Sequence, residues 1–203
     1  MENPEILKKL TEGIRNFSKI STEKVSDLYA IAEIKTFKRN VLLIEFNKPC
    51  KYIFFVLEGL LASKYLMPNG ETHIKNFFCE LDFATSTVSA LTNEPSKFSI
   101  ETLEKTTVLI FSYEEYKQLI MNSEELMKFY VNYLEQKWVI ENEYRQLSFA
   151  TQTAEERYKR FLINHYHLLN RVSLHNIASY LGITPTQLSR IRKNYKFEKP
   201  QHW

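Results

Sequence analysis

Between Lys35 and Phe111 the chain is written in brief β-branched and aromatic runs: "KTFKRN", "VLLIEF", "YIFFVLEGLLASKYLM", "ETHIKNFF" and "FSIETLEKTTVLIF". Runs of this kind at short intervals, with turn residues between them, predict a compact antiparallel β barrel or sandwich. "MPNGE" (Met67–Glu71) supplies one hairpin, because Asn69-Gly70 can take the positive φ angles of a tight turn. Gly59 interrupts the longest run, which fits a bulge or a bend.

Helical spacing flanks this β region. Ile6, Leu7, Leu10 and Ile14, then Val25, Leu28, Tyr29 and Ile31, predict short helices within residues 5–34. After "FSYEEYKQLIM", Asn122 can cap a helix and Glu125 can reciprocate. That helix should run from about Glu124 to about Leu147, roughly 36 Å at 1.5 Å per residue. It carries two apolar stripes. Met127, Val131, Leu134 and Trp138 form one, and Tyr130, Tyr133, Ile140, Tyr144 and Leu147 an adjacent one. One stripe docks a helix on its own barrel, and a second asks for another partner. A parallel two-helix homodimer seam through Met127, Val131, Leu134 and Trp138 is preferred to burial inside a monomer. Thr153-Ala-Glu-Glu156 has the pattern of a capping box and opens a further helix. The expected division is therefore 1–150, a β unit with flanking helices and the long helix, and 151–203, an all-helical unit, hinged at Thr151–Gln152.

Composition narrows the function. The longest apolar stretches, Tyr52–Leu57 and Leu60–Ala62, fall well short of the roughly 20 residues a membrane helix needs. The N-terminus lacks the apolar core of a secretory signal, so a cytoplasmic protein without a membrane partner is expected. Cys50 and Cys79 are too few for a four-thiolate cluster or zinc ribbon and read as buried thiols. Cupin-like metal catalysis needs clustered ligands, yet His73 alone lies in the β region while His165, His167, His175 and His202 lie in the terminal unit. The four glycines form no phosphate loop. No catalytic residue, metal site or cofactor is expected; a haem on His73 is the weaker reading of a histidine beside a turn.

The net charge of +3 is unevenly placed: from Arg171 onward six Lys/Arg face one acid, so that segment carries +5 and the preceding 170 residues −2. Basic charge gathered at one end of an acidic body suits a phosphate backbone. The same segment holds "SLHNIASYLGITPTQLSRIRKNY", two short helices about one glycine. Close crossing of two helices requires a small residue in the first and a glycine at the turn, here Ala178 and Gly182. Ile177, Leu181, Ile183, Leu188 and Ile191 are the inward anchors. Thr184 is a good N-cap, and Pro185 suits the first helical position. Thr184, Thr186, Gln187, Ser189, Arg190, Arg192 and Lys193 are left to meet base edges and phosphates in a major groove. An ordinary helical hairpin would satisfy half of this pattern, but not the cap, the anchors and the basic outer face together.

In its order of elements the chain resembles the Crp/Fnr family of transcription regulators, and "NIASYLGITPTQLSRIRK" is the sharpest match. The resemblance implies an α+β fold. It has an N-terminal antiparallel β roll (a double-stranded β-helix like that of cyclic-nucleotide-binding domains) with flanking helices, a long dimerisation helix and a C-terminal helix-turn-helix. It implies a homodimer on double-stranded DNA with a two-fold-related operator, and RNA polymerase as a further partner. Arg190 falls at the family's guanine-contacting arginine, whereas Pro185-Thr186 replaces the usual polar pair, so the operator should differ. The short stretch after the second helix implies an abbreviated or missing wing. Members that bind cyclic AMP use a Gly-Glu pair and an Arg-Ser pair. Here Thr85 and Ser86, then Ser96 and Lys97, occupy those positions. Ser96 offers no charge to a phosphate, Ser86 no carboxylate to a ribose, and Lys97 should face the other side of its strand. A response to cyclic AMP is not expected, and the effector is unknown. The competing class is a small-molecule sensor that signals through protein partners, for which Arg190 and Lys193 would be dispensable.

Overall fold

A computed structural model describes residues 3–67 and 70–194. The predicted hairpin residue Asn69, the segment expected to hold a wing, and the charges Lys196, Glu198 and Lys199 lie outside the described residues. Two helices come first, α1 (Pro4–Arg15) and α2 (Thr22–Ala30). Asn3 caps α1 by accepting the Glu5 N–H, and Ser21 caps α2 by accepting that of Lys24. The strands are β1 (Ala32–Phe37), β2 (Leu42–Ile44), β3 (Tyr52–Glu58), β4 (Leu61–Leu66), β5 (Thr72–Phe78), β6 (Phe83–Ala84), β7 (Ser99–Thr102) and β8 (Thr106–Ser112). The short helix α3 (Thr87–Thr92) follows β6. β1 starts three residues earlier than the change of texture at Lys35 suggests, because Ala32–Ile34 pairs with Leu109–Phe111.

Two four-stranded sheets result, ordered β1-β8-β3-β6 and β2-β7-β4-β5. The resolved pairings are antiparallel. The fold is therefore α+β, two antiparallel sheets with flanking helices. β3 explains the unbroken apolar run in "YIFFVLE": Ile53 to Leu57 are all buried, since both faces of the strand are covered. Phe54 and Val56 join Ile44, Leu61, Ile100 and Val108 in one core. Ile53, Phe55 and Leu57 join Leu109, Phe111 and the helical residues Leu10, Ile14, Leu28, Leu126 and Phe129 in another. The register slips between Val56 and Glu58, and Gly59 follows at φ +102. Its hydrogen faces Thr106 Oγ1, which a Cβ would meet at 2.5 Å.

α4 (Tyr113–Met121) leads to α5 (Glu124–Leu134), which continues through a π-helical turn (Glu135–Ile140) into α6 (Glu141–Thr151). The cap of α5 is Ser123 rather than Asn122, and Glu125 does not reciprocate. Its carboxylate instead accepts the Ser21 N–H at 2.7 Å, which holds its pKa below the usual carboxylate value. After Thr153, whose capping box with Glu156 is complete, come α7 (Ala154–His165), a 3₁₀ turn, α8 (Leu174–Leu181) and α9 (Pro185–Asn194). Among the described residues no helix is long and apolar enough to cross a membrane.

The chain forms two compact units. One comprises residues up to Tyr65 with Lys75–Glu143; the other joins Leu66–Ile74 to the segment from Tyr144 onward. By their contacts the units meet between Glu143 and Tyr144, and the end of the β4–β5 hairpin groups with the terminal helices.

Candidate nucleic-acid interface

In the second unit α8 and α9 are built by local chemistry. Ser173 accepts the Asn176 N–H at 3.2 Å and starts α8. Gly182 ends it at φ +67. The Gly182 N–H reaches the Ser179 carbonyl at 3.1 Å, and the Ile183 N–H reaches that of Ala178 at 3.0 Å. This is the Schellman pair, which consumes two orphan carbonyls and turns the chain sharply. A Cβ on Gly182 would lie 2.9 Å from Phe149 Cε1, so the turn is also sterically closed to a side chain. Arg157 closes the other side: its Nε donates to the Leu181 carbonyl at 3.1 Å and its Nη1 to that of Gln152 at 2.7 Å. Its guanidinium lies 5.1 Å from the Phe149 ring centre.

Thr184 opens α9 with a reciprocal cap. Its hydroxyl accepts the Gln187 N–H at 3.1 Å, and Gln187 Oε1 accepts the Thr184 N–H at 2.9 Å. Gln187, chosen from the sequence only as an outward residue, therefore spends its amide oxygen on the cap and keeps its NH2 for other contacts. "TPTQ" carries the capping-box spacing, so this role is visible in the sequence. Ile177, Ala178, Leu181 and Leu188 are buried, and Ile183 and Ile191 are half-buried. Thr184, Thr186, Gln187, Ser189, Arg190, Arg192 and Lys193 are all exposed. One helix thus presents three cations, two hydroxyls and an amide on a single unit anchored from beneath. Arg157, Phe149 and Arg145, the positioning residues around it, carry no periodic signal of their own.

In the first unit the cassette positions form a closed set. Thr85 Oγ1 donates to the Tyr52 carbonyl at 2.9 Å and lies 3.4 Å from the buried Cys50 Sγ; Cys79 is half-buried. Ser86 and Ser96 are each 1% exposed, and their hydroxyls lie 2.8 Å apart. The Ser96 hydroxyl is also 2.6 Å from the Phe98 carbonyl oxygen. Lys97 is exposed. The buried hydroxyls thus satisfy each other and the backbone, and among the described residues the Lys97 of this segment is exposed rather than buried with them.

Of the four residues chosen for a dimer seam, Val131 is 42% exposed. Met127 is half-buried against the helical core, and Leu134 and Trp138 are half-buried. The Trp138 ring receives the Lys75 ammonium at 5.1 Å. Val139, Ile140, Tyr144 and Leu147 are exposed along the same helix. His73 is half-buried, and burial, then the Arg145 guanidinium, lowers its pKa below the usual histidine value. Among the described residues no cluster of three or more His, Cys, Asp or Glu could hold a metal ion.

Residues 34–123 match the cyclic nucleotide-binding domain family. Solved structures extend the likeness over most of the chain. FixK2 from Bradyrhizobium japonicum superposes with a TM-score of 0.70 at 19% identity, over 81% of this chain and 84% of its own. The c-di-GMP-responsive global regulator CLP of Xanthomonas campestris gives 0.67 at 14% identity, over 86% and 91%. The Thermus thermophilus catabolite activator protein gives 0.57 at 16% identity, over 92% and 85%. At these identities the likeness is one of fold. No curated protein matches the chain in sequence.

Proposed function

We propose that the chain is a sequence-specific DNA-binding transcription regulator that acts as a homodimer and does not respond to cyclic AMP. The observation that carries this is the outer face of α9. All seven candidate DNA-facing residues are exposed, Thr184 at the cap and six on a helix whose buried anchors, reciprocal cap and glycine turn fix its direction. Arg190 is the base reader, able to bond guanine through two parallel N–H groups, and Arg192 and Lys193 hold phosphates. The fold neighbours include proteins described as a global regulator and a catabolite activator, which supports the regulatory class. Exposed Val131, Val139 and Ile140 supply apolar surface for a second copy, and two copies would present their α9 helices to grooves about 34 Å apart on a two-fold-related operator. RNA polymerase is the expected downstream partner.

Cyclic AMP is disfavoured by the paired Ser86 and Ser96 hydroxyls, buried where a cyclic phosphate would need a cation. Selection from a random DNA library with the purified full chain, with and without cyclic AMP, tests the proposal. A two-fold-related motif selected equally in both arms is expected. In the Arg190→Ala/Lys193→Ala variant, affinity for that motif falls, and the slope of log affinity against log salt drops by about 0.9 for each phosphate the variant no longer neutralises. Failure to select any motif, or an unchanged slope in the variant, overturns DNA binding in favour of signalling through protein partners.

A further inference from the structure

The tip of α9 is closed by hydrogen bonds between Thr184 and Gln187. Gln187 Oε1 accepts the Thr184 N–H at 2.9 Å and the Thr184 hydroxyl at 3.3 Å, while that hydroxyl accepts the Gln187 N–H at 3.1 Å. A backbone N–H can be met only by the oxygen of an amide, so the cap decides which end of the Gln187 side chain is left over. That end is the NH2, which carries donors only. Gln187 is exposed, and it stands one turn before the exposed Arg190 on the same side of the helix.

Glutamine ordinarily reads adenine, with its oxygen accepting from N6 and its NH2 donating to N7. Here that pairing would require Oε1 to leave the Thr184 N–H, a donor that the first helical turn cannot satisfy from within. One bond would be lost for the one gained at adenine. We propose that Gln187 is a specificity-determining residue that offers DNA only donors, and so selects guanine or thymine over adenine at the base pair beside the one Arg190 reads. The proposal rests on α9 as the DNA-reading helix and goes beyond it in naming what the tip of that helix accepts. In the major groove guanine presents N7 and O6 and thymine presents O4, all acceptors, whereas adenine pairs its N7 with an amino group and cytosine shows an amino group alone. Arg190 has the same polarity, since a guanidinium has no acceptor, and no residue of Pro185–Asn194 is acidic. Two neighbouring donor groups therefore ask for neighbouring acceptor-bearing bases.

The test selects duplexes from a random library with full-length wild type, Arg190→Ala, Gln187→Glu and Gln187→Met, and compares base preferences position by position. Glutamate keeps an oxygen for the cap, suits the first turn of a helix and puts a second oxygen where the NH2 stood. Its charge opposes every phosphate alike, so the ranking of bases is read rather than the affinity. Methionine has a similar length and removes both polar ends. Exchange of the Thr184 amide is followed in parallel. Wild type is expected to prefer guanine or thymine about fivefold over adenine, the worth of one neutral hydrogen bond, beside the position that Arg190→Ala flattens. Gln187→Glu should turn that preference to cytosine or adenine, whose amino groups donate, and Gln187→Met should flatten it. The Thr184 amide should exchange faster in Gln187→Met and as in wild type in Gln187→Glu. Adenine as the wild-type choice at the position Gln187 controls overturns the proposal. So does a wild-type motif that neither Gln187 variant alters, which leaves DNA binding standing. A wild type that selects no motif ends the base preference together with the DNA reading, and faster Thr184 exchange in Gln187→Met then places the failure in DNA binding rather than in the cap.

Discussion

Replacing Gly182 by alanine tests the turn between α8 and α9 with two separable costs. The first is conformational. At φ +67 an L residue with a Cβ pays about 1–2 kcal/mol. The second is steric. The new Cβ would stand 2.9 Å from Phe149 Cε1, while the next two ring atoms are at 3.6 and 3.8 Å, so one approach is too short. Phe149 is 41% exposed and its ring can swing outward, at about 0.5–1.5 kcal/mol for an off-rotamer side chain. The sum is about 2–3 kcal/mol, which for a chain of this length lowers Tm by about 6 °C. Urea unfolding followed by circular dichroism measures it. In a Phe149→Ala background the steric share vanishes, and Gly182→Ala should cost only the conformational part, so the double-mutant cycle returns a coupling of about 1 kcal/mol. Gly182→Asn should retain the steric share but avoid part of the conformational one, because asparagine tolerates the left-handed region. A Gly182→Ala variant within about 0.5 kcal/mol of wild type would refute the account of the turn. The same cost in both backgrounds would refute the part assigned to Phe149.

Two further outcomes follow from other parts of the molecule. Val131→Asp with Ile140→Asp places carboxylates at two exposed apolar positions of the long helix, and sedimentation should show twice the chain mass for wild type and the single mass for the variant; equal masses would remove the proposed seam. Asp82 accepts the Cys79 N–H at 2.9 Å, and burial raises its pKa above the usual carboxylate value, against the opposing pull of Lys137. A raised folded-state pKa means the native protein holds this proton more tightly than the unfolded chain. The carboxyl therefore costs stability at neutral pH, and that cost fades as pH falls through the folded pKa toward the unfolded one. Asp82→Asn keeps the acceptor and removes the charge. It should raise Tm near pH 8, with the gap closing toward pH 4; an Asn variant less stable than wild type at pH 8 would contradict this.

The readable parts of the chain are those governed by near neighbours. The β region announces itself because each strand carries its own apolar residues, and "YIFFVLE" loses its alternation for the simple reason that sheet and helices cover both faces of β3. The helix pair α8–α9 is equally legible, since caps, turn glycine and anchors all lie within 22 residues, Ser173–Asn194. Errors arise where a side chain has two partners to choose from. Glu125 stands where a capping box needs it, yet it reaches across the fold to the Ser21 N–H, leaving Ser123 to cap α5 alone. Within α5 the stripe already mixes the half-buried Met127 and Leu134 with the exposed Val131, and the π turn at Glu135–Ile140 changes the phase again before it reaches Trp138.

The grouping of Leu66–Ile74 with the terminal helices had no such signal to give. Where they join, one partner is a serine hydroxyl and the other is bare backbone at Thr72 and Ile74. Backbone groups are the same at every position, so nothing in the identities of Thr72 or Ile74 marks them as the place where α8 will rest. The same holds for Arg157, whose two hydrogen bonds end on the carbonyls of Gln152 and Leu181. A sequence displays only the side-chain half of such a bond, and an exposed serine or arginine on a helix reads as solvated surface.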